Sequence, residues 1–128
     1  MITTMSNIIN FNVFYDEVRN AKIPLKLAFK LSNLTKVVNE KTEFYREEFQ
    51  KILREYGEFD ENGNIIPTND GRGVKVKPGT EMECMTKINE LQSLEVELPD
   101  ITFDVEEFGD IELTLDVFNI ITPFLKAE

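Results

Sequence analysis

The chain has 128 residues, 41% hydrophobic and 10% aromatic with ten Phe and no Trp, a composition suited to one packed domain and not to a disordered or disulfide-built chain. It has no histidine and a single cysteine, Cys84, which excludes Ser-His and Cys-His nucleophilic pairs, internal disulfides, and zinc sites built on His or several Cys. A formal charge of −10 disfavours duplex nucleic acid as a partner, since its phosphates would be repelled, and leaves solubility, nucleic-acid mimicry or the binding of basic proteins.

Near the N-terminus, Ile9, Phe11 and Val13 alternate with Asn10 and Asn12, which predicts a short strand. Residues 14–20 are ambiguous, and Ile23-Pro24 ends them because proline pushes its predecessor away from helical angles. From Pro24 to Tyr56 runs the clearest element, a long helix with proline in its first turn. Leu31, Val38, Tyr45 and Ile52 recur every seven residues. Leu27 and Leu34 flank that row on one side and Phe49 and Tyr56 on the other, while Phe29, Val37 and Phe44 widen it. At about 1.5 Å per residue this helix spans about 50 Å, long against a domain radius of about 14 Å.

Gly57 reads as a C-terminal helix stop. Asn62-Gly63 and Asp70-Gly71 then mark turns on either side of Ile65-Ile66, and Val74 and Val76 alternate with lysines, which predicts an antiparallel meander or elaborated hairpin. Thr80 reads as the N-cap of a medium helix whose buried side would carry Met82, Met85, Ile88 and Leu91. Leu94, Val96 and Leu98, and beyond Pro99 Ile101, Phe103 and Val105, alternate as one or two strands. Thr114 caps a last short helix with Leu115, Phe118 and Ile121, limited by Pro123. The expected fold is α+β in a single domain over residues 1–128: one long helix, one medium helix, a small antiparallel sheet and a short C-terminal helix.

Four candidate sites compete with plain structural readings. Asp60, Asn62 and Asn64 alternate like the start of an EF-hand, but the sixth loop position is Ile65 and not glycine, and the twelfth is Gly71 and not glutamate. A tight turn explains these residues, so no metal is expected there. Arg19, Lys22, Lys26 and Lys30 recur three or four apart, which makes Lys22, Lys26 and Lys30 a candidate anion-binding row. Against this, residues 95–128 hold ten of the 24 acids and one base, Lys126, so charge balance within the chain is the favoured reading. Asp104, Glu106, Glu107, Asp110, Glu112 and Asp116 are candidates for paired acid–base work or magnesium binding, and strand alternation and solvation account for most of them. The helical stripe, with Leu27, Leu31, Leu34, Val38, Tyr45, Phe49, Ile52 and Tyr56, is the candidate interaction surface, for self-association or another protein.

The stretches "KIPLKLAFKLSNL" at 22–34, "REYGEFDENGN" at 54–64, "ECMTKINELQSLEVEL" at 83–98 and "TPFL" at 122–125 resemble small uncharacterised proteins encoded by tailed phages and prophages of Gram-positive bacteria. The resemblance implies phage origin and expression in a bacterial host, and supplies no catalytic residues. No apolar run approaches the roughly 20 residues of a membrane span, and "MITTMSNIINFN" lacks the pattern of a signal peptide. The expected setting is therefore the host bacterial cytoplasm, with Cys84 a buried structural thiol. The expected function is non-enzymatic and needs no cofactor: a phage-encoded protein that binds a host or phage protein, as an inhibitor of a host defence or regulatory system or as an assembly accessory, with homo-oligomerisation along the stripe. Two other classes are an oligomeric sponge for an anionic signalling nucleotide, using the lysine row, and a metal-dependent enzyme using the C-terminal acids.

Overall fold

The computed structural model describes residues 1–125, so Lys126 lies outside the described residues. In chain order the elements are β1 (Ile2–Thr4), α1 (Met5–Val18), α2 (Leu25–Tyr56), α3 (Glu81–Gln92), β2 (Glu95–Glu97) and α4 (Leu115–Ile121), with 3-10 turns at Val105–Phe108 and Thr122–Phe124. The fold is α+β and mostly helical, with one long helix, a two-stranded antiparallel sheet and a short C-terminal helix. Contacts divide the chain into two compact units, Met1–Glu43 with the chain from Glu95 on, and Phe44–Leu94.

In the first unit, β1 pairs antiparallel with β2 in the register Ile2↔Glu97, Thr3↔Val96, Thr4↔Glu95. Thr4 then caps α1, its hydroxyl accepting from the Asn7 amide at 3.3 Å. The strand expected at Ile9, Phe11 and Val13 is instead the middle of this helix. Met5, Ile8, Phe11, Phe14 and Val18 fall three or four apart and are all buried, whereas Val13 is exposed. A two-residue alternation lasting five residues loses to a helical period that places every large buried side chain on one face.

The core of this unit is aromatic. Phe11 meets Phe14 and Phe124 at ring-centroid distances of 5.5 and 5.6 Å, and Phe108 meets Phe14 and Phe103 at 6.1 and 5.8 Å. The Asn12 side-chain amide donates to the Thr42 hydroxyl at 3.0 Å, linking α1 to α2. Val96 and Leu98 are buried as expected of a half-buried strand. The strand expected through Ile101, Phe103 and Val105 does not form. The Ile101 amide folds back onto the Pro99 carbonyl at 2.8 Å, Phe103 alone pairs with Leu125, and Val105 opens a 3-10 turn with its side chain exposed. Thr114 does cap α4, accepting from the Val117 amide at 3.3 Å. The buried side of α4 is Val117 and Ile121, while Leu115 is exposed and Phe118 half-buried.

The second unit contains the end of α2, a hairpin-like excursion and α3. Gly57 does end α2, but not through a left-handed backbone, since only Gly63, Gly71, Gly79 and Gly109 have positive φ among the described residues. It is glycine because a Cβ there would lie 2.5 Å from the Leu53 carbonyl oxygen and 3.0 Å from Ile65 Cδ1. Three chain segments then lock together: the Glu58 amide donates to Lys75, the Lys75 amide to Ile66, and the Ile66 amide to Glu58, all at 2.8–2.9 Å. The antiparallel bridges Gly57↔Val76, Phe59↔Ile65 and Pro67↔Val74 realise the expected hairpin as isolated pairs. The two-stranded sheet comes from β1 and β2 instead.

The stretch that begins like a calcium loop is a turn. One Asp60 carboxylate oxygen accepts from the amides of Asn62 and Asn64, both at 2.9 Å, and Gly63 supplies a φ of 79°. Thr80 departs from expectation: its hydroxyl donates to the Lys77 carbonyl at 2.7 Å, so α3 starts without a side-chain cap. The buried side of α3 is the predicted one only in part. Cys84 and Leu91 are buried and Ile88 half-buried, whereas Met82 and Met85 are 81% and 60% exposed. Ile88 and Leu91 continue the row that starts at Cys84, four and seven residues on, and the two methionines fall outside it.

Candidate functional site

The proposed interaction stripe on α2 separates into two parts. Leu27, Leu31, Leu34 and Val38 have no more than 4% exposure, so they are core of the first unit and cannot form a free docking face. Tyr56 is buried in the second unit, while Tyr45, Phe49 and Ile52 remain half-buried. Tyr45 and Phe49 stack at 5.7 Å with 22° between their planes, and the Gln92 amide donates to the Tyr45 hydroxyl at 3.5 Å. Ile52, Leu91 and Leu94 form the apolar part of a shallow groove of about 390 Å³ between α2 and the α3 segment, edged by Glu48, Lys51, Glu55, Lys87 and Glu90.

The residues that do present apolar surface lie elsewhere on the helix. Leu25 and Phe29 are four apart and 86% and 69% exposed. On a helix of 3.6 residues per turn, they point away from the Leu27, Leu31, Leu34 and Val38 row. Sequence reasoning assigned Phe29 to the widened stripe and did not single out Leu25. Their i,i+4 spacing, out of phase with the seven-residue row, was the available signal.

The lysine row is divided by a carboxylate. Glu107 has 11% side-chain exposure and receives Lys30 Nζ on both oxygens at 2.7 and 3.0 Å, with Lys26 Nζ at 3.5 Å from one of them. Lys30 also donates to the Thr102 carbonyl at 2.9 Å, and its ammonium lies 5.8 Å from the Phe103 ring centroid. The Lys30 hydrogen bond, opposed by desolvation and helped by the positive charges of Lys30 and Lys26, holds the Glu107 carboxyl below its usual pKa. An anion at Lys26 and Lys30 would have to displace this carboxylate. Lys22 is not brought to it, and lines a cleft whose other charged residues are Glu17, Asp110 and Glu112.

The C-terminal acids do not converge. Among the described residues, no three His, Cys, Asp or Glu side chains are close enough together to hold a metal ion. Asp104, Glu106, Asp110, Glu112 and Asp116 are exposed, and only Glu107 of that set is in an ion pair among the described residues. Cys84 is buried, and desolvation raises its thiol pKa, which keeps it protonated and a poor nucleophile. No described helix is long and apolar enough to cross a membrane.

Comparison with known proteins finds no matching family model, no matching curated protein and no matching solved structure.

Proposed function

We propose that this chain is a non-enzymatic protein-binding protein that engages its partner through the outward face of α2 at Leu25 and Phe29. The observation that carries this reading is the pair itself: two large apolar side chains, one turn apart, exposed on the opposite side of the helix from the buried row Leu27, Leu31, Leu34 and Val38. Leaving such surface in water costs about 25 cal/mol per Å², and a partner that covers it recovers that energy. The resemblance to small phage proteins supports a setting in the cytoplasm of an infected bacterium, where the bound protein belongs to a host defence or regulatory system or to the assembling phage.

The test is affinity capture from lysate of a Gram-positive bacterium, comparing the natural chain with a Leu25→Ser, Phe29→Ser variant. Both side chains are exposed, so the unfolding midpoint should stay the same while a specifically captured protein is lost. Recovery of the same protein at the same level by both chains would overturn the assignment of this face.

A further inference from the structure

The first unit contains a second feature that the α2 face does not use: a cleft of about 650 Å³ where the end of α1, the 21–24 link and the 108–112 segment meet. Its apolar lining is Ala21, Ile23, Pro24, Phe108 and Ile111. Its charged lining is Glu17, Asp110, Glu112 and Lys22, three carboxylates to one ammonium. All four charged residues are exposed, and none is in an ion pair among the described residues. The cleft therefore combines an apolar lining with a net negative charge.

We propose that this cleft receives an arginine or lysine side chain projecting from the protein partner. The chemistry selects that occupant in three steps. An anion would meet a net negative lining. A bare metal ion would need converging ligands, and no three acids among the described residues converge. A long cationic side chain satisfies both parts of the site, with its methylene stem on Ile23, Phe108 and Ile111 and its head among the carboxylates. The sign is opposite to the anion-binding expectation for Lys22, because tertiary folding places that lysine in one cleft with acids from α1 and the 108–112 segment. This inference rests on the protein-binding reading and names the partner chemistry: a basic surface with at least one protruding Arg or Lys.

The experiment uses isotope-labelled full-length chain and n-butylguanidinium as the probe, followed by amide chemical-shift mapping at low salt. Saturable shifts at Ile23, Phe108 and Ile111 are expected. Guanidinium without the butyl stem should bind more weakly, and butyrate should produce no shifts there. An Asp110→Asn, Glu112→Gln variant should bind n-butylguanidinium about fivefold more weakly, as loss of two exposed charge pairs implies. Neither side chain makes a hydrogen bond among the described residues, so the variant should keep its unfolding midpoint. Absence of saturation, equal shifts at Glu95 and Glu97, or tighter binding of 1,4-diaminobutane would overturn the proposal, the last by pointing to a free polyamine. Loss of the α2 effect in the capture experiment with cleft binding intact would overturn the reading of α2 and leave the cleft standing.

Discussion

The two units reach order by different routes. In the unit formed by residues 1–43 and the chain from 95 on, Phe11, Phe14, Phe103, Phe108 and Phe124 are all buried and meet in a chain of ring contacts. In the unit of residues 44–94, the buried hydrophobic side chains are Tyr56, Cys84 and Leu91, and Phe44 and Phe59 stay exposed. There the order comes from backbone: the three-way lock among Glu58, Ile66 and Lys75, and turns closed by Asp60 and Asp70. Hydrogen bonds from the Thr68 hydroxyl and the Arg72 amide hold the Asp70 carboxyl below its usual pKa. Dense apolar burial resists local opening more than exposed turn hydrogen bonds do, so the first unit should be the more protected against amide exchange.

The largest test of that contrast is Phe11→Ala. Phe11 is fully buried between Phe14 and Phe124, and its removal should cost about 3–5 kcal/mol in denaturant unfolding. The loss of protection should concentrate in α1 and α4. Equal loss throughout residues 57–77 would break the distinction between the units. A middle-sized effect is expected from Gly57→Ala, which sets a methyl group against the Leu53 carbonyl oxygen and should cost about 1–3 kcal/mol. Its exchange signature should appear at Glu58, Ile66 and Lys75, and unchanged protection there would show that backbone closure at Gly57 does not hold this unit.

The smallest effect concerns Glu107. Its carboxyl pKa is lowered in the folded chain, chiefly by the Lys30 hydrogen bond, so its stabilising contribution is complete above the usual glutamate pKa of 4.5. That contribution is lost as pH falls through the lower folded value. Glu107→Gln should therefore cost about 1 kcal/mol at neutral pH, and the difference from the natural chain should shrink on acidification below 4.5. Parallel stability curves for the two chains across that range would sink the ion-pair account.

Local signals carried much of the architecture. Pro24 and Gly57 bracket α2, Asn62-Gly63 makes its turn, and Thr114 caps α4, each because the constraint lies within a few residues of its cause. The α-helix at Met5–Val18 was legible in the spacing of Met5, Ile8, Phe11, Phe14 and Val18, but a short asparagine alternation pointed to a strand. Thr80 had the identity of a cap and a different hydrogen-bond partner, the Lys77 carbonyl. Met82 and Met85 against Cys84 could not be resolved, since each leads on to Ile88 and Leu91 with helical spacing and only a neighbour decides which is covered.

By itself the sequence determined the long helix, its ends, the turns between elements and the absence of histidine chemistry, all of them properties of residue type or of near neighbours in the chain. Tertiary structure alone decided which part of the α2 stripe is enclosed, that Lys26 and Lys30 answer to Glu107, and that Lys22 shares a cleft with Glu17, Asp110 and Glu112. The reason is distance along the chain: Lys30 and Glu107 are 77 residues apart, and periodicity within one helix carries no information about which distant segment will cover it.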